Sequence, residues 1–161
     1  KTLAKSLGET VPLDTERGYH VVIKTPEVTP RLPIFDAERK FIATPMRAGL
    51  RVAGVVEFAG LDRPADGRIN RRLLRHVRAM FPALRDDYAE SEVSNWMGFR
   101  PSMPDSLPVI GNSPAHDNIL YAFGHQHIGL TLGGITGKLV AEMAQSGKPN
   151  NALADFSPLR F

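Results

Sequence analysis

The chain has 161 residues, 42% of them apolar and 23% charged, which is ordinary globular composition with enough length to bury roughly 70% of the unfolded surface around one core. A formal charge of +3 is too small to argue for nucleic acid or another polyanionic partner, and the absence of cysteine excludes disulfides, thiolate metal sites and cysteine nucleophiles while fitting a reducing, cytoplasmic compartment. No apolar run approaches the roughly 18 residues of a membrane span, and nothing reads as a signal peptide.

In chain order, the sequence opens at Lys1 rather than methionine, within an amphipathic segment carrying Leu3 and Leu7, and so reads as a piece of a longer polypeptide. Residues 18–23, 41–44 and 50–58 repeat β-branched and aromatic residues between turn signals and predict strands. Ile69, Leu73, Leu74, Val77 and Met80 have helical spacing, begun near Asp66 and stopped by Pro82. Residues 92–99 alternate as a strand that delivers Arg100 at its end, with Trp96 and Phe99 read as core anchors. "PVIG" and "NILYAFG" follow as strands. Leu130, Leu132, Ile135, Leu139, Val140 and Met143 then trace a helix ended by Gly147 and Pro149. The predicted fold class is α+β, with a mostly antiparallel sheet and flanking helices.

Two stretches carry chemistry. In "GFRPSMPDSLPVIG", residues 98–111, Pro101 pushes Arg100 towards an extended backbone and so holds its guanidinium rigidly. From spacing alone, a pairing with Asp105 across the turn is the plainer reading. In residues 121–147, Gly124 and Gly129 bracket a "HQHI" loop. Gly129, Leu130 and Thr131 then occupy a helix start whose unpaired N–H groups suit an anion or an electron-rich carbonyl. Gly133, Gly134 and Gly137 strip one side of that helix, which predicts a flat group or another backbone close by. Neither a Walker loop nor G-x-G-x-x-G occurs in the chain. His125 and His127 have no third ligand near them in sequence, so no metal centre is expected. Tyr19 reads first as a core or sheet-face residue and second as a substrate contact. The arginine-rich helix (Arg68, Arg71, Arg72, Arg75, Arg78) reads as a solvated face, with contact to anionic lipid as a second reading.

"LAKSLGETVPLDTERGYHV" (3–21), "LRVAGVVEFAG" (50–60), "WMGFRPSMPDSLPVIG" (96–111) and "LYAFGHQHIGLTLGGITGKLVAEMAQSGKP" (120–149) together resemble the D-amino acid dehydrogenase and D-amino acid oxidase family of FAD-dependent amine oxidoreductases, which includes glycine and sarcosine oxidases. The resemblance implies a C-terminal part that lacks its N-terminal FAD-binding half. Residues 1–16 would end an FAD-domain segment, 17–100 would form the substrate-binding domain, and 101–161 would return to the FAD-binding domain. The resemblance further implies that Arg100 grips the substrate carboxylate, with His125 and Tyr19 as further substrate contacts. Gly124, His127, Ile128, Gly129, Leu130 and Thr131 would lie against the flavin. Once the amine is neutral, hydride transfer from the amine carbon of an amino acid would need little from acid–base residues, so no catalytic residue is assigned. Ser106, where glycine is usual, and "HQHIG" depart from the commoner pattern and bear on specificity. Some family dehydrogenases work beside a respiratory membrane, so a peripheral inner-membrane or quinone contact is a minor expectation. The part alone is expected to be inactive. The alternative is a free-standing carboxylate-binding module without redox chemistry.

Overall fold

The computed structural model describes residues 1–147 and 151–161; Pro149, expected to end the last helix, lies outside the described residues. The elements are α1 (Thr2–Ser6), β1 (Asp14–Ile23), β2 (Ile34–Asp36), β3 (Phe41–Met46), β4 (Gly49–Glu57), α2 (Gly67–Met80), β5 (Val93–Ser102), β6 (Val109–Asn112), β7 (Leu120–Phe123) and α3 (Gly129–Ser146). Short 3-10 turns cover Glu90–Glu92, Asn151–Phe156 and Pro158–Arg160. The chain divides into two compact units, one of residues 17–99 and one of residues 1–16 with 100–161.

Residues 17–99 are built on a five-stranded sheet in the order β2-β3-β4-β1-β5, whose β2–β3, β3–β4 and β1–β4 pairs are antiparallel. The β3–β4 hairpin closes where Met46 pairs with Gly49, whose φ of +123° and a would-be Cβ 2.0 Å from the Ile23 carbonyl oxygen admit only glycine. Tyr19, Val21 and Ile23 alternate along β1 and bury their side chains with Phe41, Ala43, Leu50 and Val52. Leu73 and Val77 of α2 join that cluster together with Leu84, each worth about 1.5–3 kcal/mol of apolar burial. Asp66 starts α2 as its N-cap, its carboxylate accepting the Arg68 N–H at 2.9 Å.

Trp96 and Phe99 are not core anchors: they are 50% and 48% exposed. Trp96 stacks on His20 at 4.8 Å and folds over Gly98, where a Cβ would meet its ring at 2.1 Å. Phe99 lies 6.0 Å from the buried Arg17 guanidinium. Both rings thus serve local stacking contacts rather than the apolar cluster.

In the other unit, β6 and β7 form an antiparallel ladder from Val109↔Phe123 to Asn112↔Leu120. Successive β6 residues feed two clusters on opposite faces: Val109 joins Ala4, Val11, Met103 and Tyr121, while Ile110 joins Met143 and Leu153. Two-stranded sheets are marginal by themselves, and here both faces are packed. The Glu9 carboxylate ties the first cluster together by accepting the Ser113 and Tyr121 hydroxyls and the Ala115 N–H. Those bonds hold Glu9 below the usual carboxylate range and push the Tyr121 phenol up to about 12. α3 ends at Gly147, in the left-handed conformation at φ +63°, with its N–H on the Met143 carbonyl.

Candidate functional site

β5 does not stop at Arg100 but runs on through Pro101 to Ser102, because proline and the residue before it both favour extended backbone. Arg100 is partly buried there. A turn follows in which the Ser106 N–H reaches the Met103 carbonyl at 3.0 Å and the Asp105 carboxylate accepts the Leu107 N–H at 3.1 Å. Ser106 sits at φ +63°, a left-handed conformation that costs a non-glycine residue strain. The Asp105 carboxylate is taken up by Arg160, with Nε at 2.6 Å, and that guanidinium holds it below the usual carboxylate range.

The loop between β7 and α3 meets this same segment. Gly124 is buried at φ +83°, and a Cβ there would lie 2.7 Å from Met103 Cγ. Gln126, also left-handed at φ +48°, donates its N–H to the Pro101 carbonyl at 3.1 Å and its side-chain amide to the Met103 carbonyl at 3.3 Å. The backbone just after Arg100 is thereby bonded to the loop that opens α3.

His125 Nε2 lies 3.0 Å from Thr136 Oγ1, pinning the loop to the second turn of α3, and burial pushes its imidazole pKa down. His127 Nε2 lies 3.0 Å from a Glu16 carboxylate oxygen. Ile128, the N-cap, makes no side-chain capping bond, so the first-turn N–H groups at Gly129, Leu130 and Thr131 face no side-chain acceptor from it. Ile128 is half-exposed and Leu130 fully exposed. A Cβ on Gly129 would touch His125 Cβ at 3.3 Å, whereas Cβ atoms on Gly133, Gly134 and Gly137 would meet nothing within 4 Å. An uncapped helix start beside an open, glycine-floored strip fits a flat heterocycle that presents a carbonyl to the helix dipole.

Tyr19 belongs to residues 17–99, where it is buried. Its hydroxyl donates to Glu57 at 2.6 Å and accepts from Arg17 Nη2 at 3.0 Å and the Asp66 N–H at 3.1 Å, so its one proton and both lone pairs are used. Sequence reasoning missed Arg160, and it marked Ser106 and the "HQHIG" loop that holds Gln126 only as departures bearing on specificity. A left-handed non-glycine residue leaves no compositional mark, and the bonds of Arg160 to the Asp105–Leu107 turn span 53–55 residues.

A sequence model of the family described as FAD dependent oxidoreductase matches residues 1–143. The chain is 45% identical over its full 161 residues to a D-amino-acid oxidase of Bradyrhizobium diazoefficiens, and it spans 38% of that protein. It is 35% identical over 151 residues to a D-amino acid dehydrogenase of Paramagnetospirillum magneticum, covering 92% of this chain and 34% of that protein. Among solved structures, a glycine oxidase of Geobacillus kaustophilus superimposes with a TM-score of 0.80 over 99% of this chain and 42% of its own, at 23% identity, which speaks for the fold. With an α+β fold shared with these proteins and a family match over most of its length, the chain belongs to the FAD-dependent oxidoreductase family that includes the D-amino acid oxidases and dehydrogenases.

Proposed function

We propose that these residues are the substrate- and flavin-contacting portion of an enzyme that oxidises the amine carbon of an amino acid, Arg100 clasping the substrate carboxylate and the opening of α3 lying against the flavin. One observation carries the proposal: Gln126 bonds the backbone that follows Arg100 to the loop that opens α3, so the strand end carrying Arg100 and the start of that helix are tied together. The names of the two relatives, D-amino-acid oxidase and D-amino acid dehydrogenase, support a D-amino acid as the substrate class.

A planar guanidinium meets a carboxylate through two parallel charge-assisted bonds, each worth about 1.5–3 kcal/mol, and so fixes orientation as well as affinity. Held from one end, the substrate presents its α-carbon in a repeatable position, which is the main protein contribution when no proton needs moving at that carbon. When bound, the flavin supplies the acceptor for the hydride. Gly129, Leu130 and Thr131 carry the positive end of the α3 dipole and would favour the negative charge that gathers on a flavin held against them. His125 stays neutral near pH 7, because burial lowers its pKa from 6.5, and it holds the loop rather than adding charge.

The test is anaerobic mixing of the complete enzyme with a panel of D-amino acids and with the matching amines that lack a carboxylate. Bleaching of the flavin band by amino acids, and not by the amines, is expected. An enzyme reduced equally well by both, or by no amino acid, contradicts the proposal.

A further inference from the structure

We infer that Arg160 is a positioning residue for Arg100, acting by clamping the strained turn that follows it. The inference rests on Arg100 being the carboxylate-binding group.

All five guanidinium N–H groups of Arg160 are engaged. Nε and Nη2 meet the two Asp105 oxygens at 2.6 and 3.3 Å, and Nη2 also reaches the Leu107 carbonyl at 2.7 Å. Nη1 meets the Phe156 and Ser157 carbonyls at 3.0 and 3.1 Å. The side chain is only 14% exposed, unlike a surface ion pair that flickers in solvent. Between the two turn residues it grips sits Ser106, one of three non-glycine residues with positive φ among the described residues; Gln126, which bonds Pro101 and Met103, is another. Such conformations persist where the surroundings over-determine them.

The segment that carries Arg160 is itself seated. Pro158 lies against Gly111 of β6 so closely that a Cβ on Gly111 would come within 2.9 Å of its ring, and Ser157 caps the short turn through the Leu159 N–H. From the clamped turn back to Arg100 the chain passes Pro104 and Pro101, whose φ angles are fixed, and Met103, whose carbonyl is bonded to Ser106 and Gln126. A shift of the Asp105 turn is therefore passed on to the strand end instead of being absorbed. Arg160 lies outside residues 1–143, the span that matches the family model.

In the complete enzyme, Arg160→Leu is expected to raise KM for the amino acid about tenfold to a hundredfold, the cost of a misplaced substrate-positioning group, with kcat at saturation and flavin content nearly kept. Ser106→Gly, which removes the left-handed strain, is expected to restore much of that KM in the double variant, and amide exchange at residues 103–107 should rise in Arg160→Leu and fall back in the double variant. Asp105→Asn, which removes the ion pair but keeps an acceptor for the Leu107 N–H, gives the same readout if Arg160→Leu does not fold. An unchanged KM in these variants, or a joint fall of kcat, flavin content and thermal stability that Ser106→Gly does not rescue, overturns the inference. Arg100→Leu is measured alongside. If it leaves KM unchanged, the carboxylate assignment itself falls, whereas a crippled Arg100→Leu beside a normal Arg160→Leu removes only the clamp.

Discussion

At the scale of single residues, the candidate site is built on backbone conformations that side chains alone do not announce. Gln126 at φ +48° spends strain to bring two donors onto the Pro101 and Met103 carbonyls. Gln126→Val is expected to destabilise the protein by about 1–3 kcal/mol, because a β-branched residue is a poor tenant of that conformation, while Gln126→Gly loses far less. Chemical denaturation of the two variants checks this, and equal losses would show that the side-chain bond matters more than the φ angle. Arg100 stood out in the sequence as a candidate because proline marks it. Its supports did not: Ser106 and the loop that holds Gln126 showed only as departures from the commoner pattern, with no sign of their left-handed backbone, and the partner of Asp105 stands 55 residues away.

At the scale of elements, strong periodicity and clear caps decided what the sequence told. α2 has a regular apolar stripe and Asp66 at its N-cap, and it lies where the pattern put it, at Gly67–Met80. β2 was not foreseen: three residues are too short for any alternation to show. Asp66 gives an element-level prediction. Its carboxyl is held at about 2, mainly by the Arg68 side chain and then the Arg68 N–H, against an ordinary 3.8. A depressed carboxylate pKa contributes stability above the unfolded value and loses it as pH falls through the folded one. Asp66→Ala should therefore lower the thermal midpoint at neutral pH, and its gap from the parent should close between pH 3.8 and about 2; a gap constant over that window would contradict the cap. For α3, Gly129→Val must press on His125, whose Cβ lies 3.3 Å from the added carbon, and so disturb the loop at the helix start. A fall in flavin affinity larger than the fall in thermal stability is expected, and equal falls would make Gly129 a packing residue.

At the scale of the whole molecule, the family assignment and the α+β fold were both legible, because four sequence blocks and the strand pattern agreed with the family match and with the solved glycine oxidase. The chain spans 38% of the Bradyrhizobium relative, and α3 leaves Leu130, Ile135 and its glycine strip exposed. The 161 residues expressed alone are expected not to retain stoichiometric FAD, since they hold no dinucleotide fingerprint. A yellow, fully flavinated sample would contradict that. The most direct measurement is a titration of the complete enzyme and its Arg100→Leu variant with an unreactive carboxylate analogue of the substrate and with its uncharged amide, followed by the flavin absorbance change. The parent should bind the carboxylate more tightly than the amide, and Arg100→Leu should erase that preference, losing about 2–5 kcal/mol for the carboxylate alone. A variant that keeps the parent's preference would show that Arg100 does not hold the substrate.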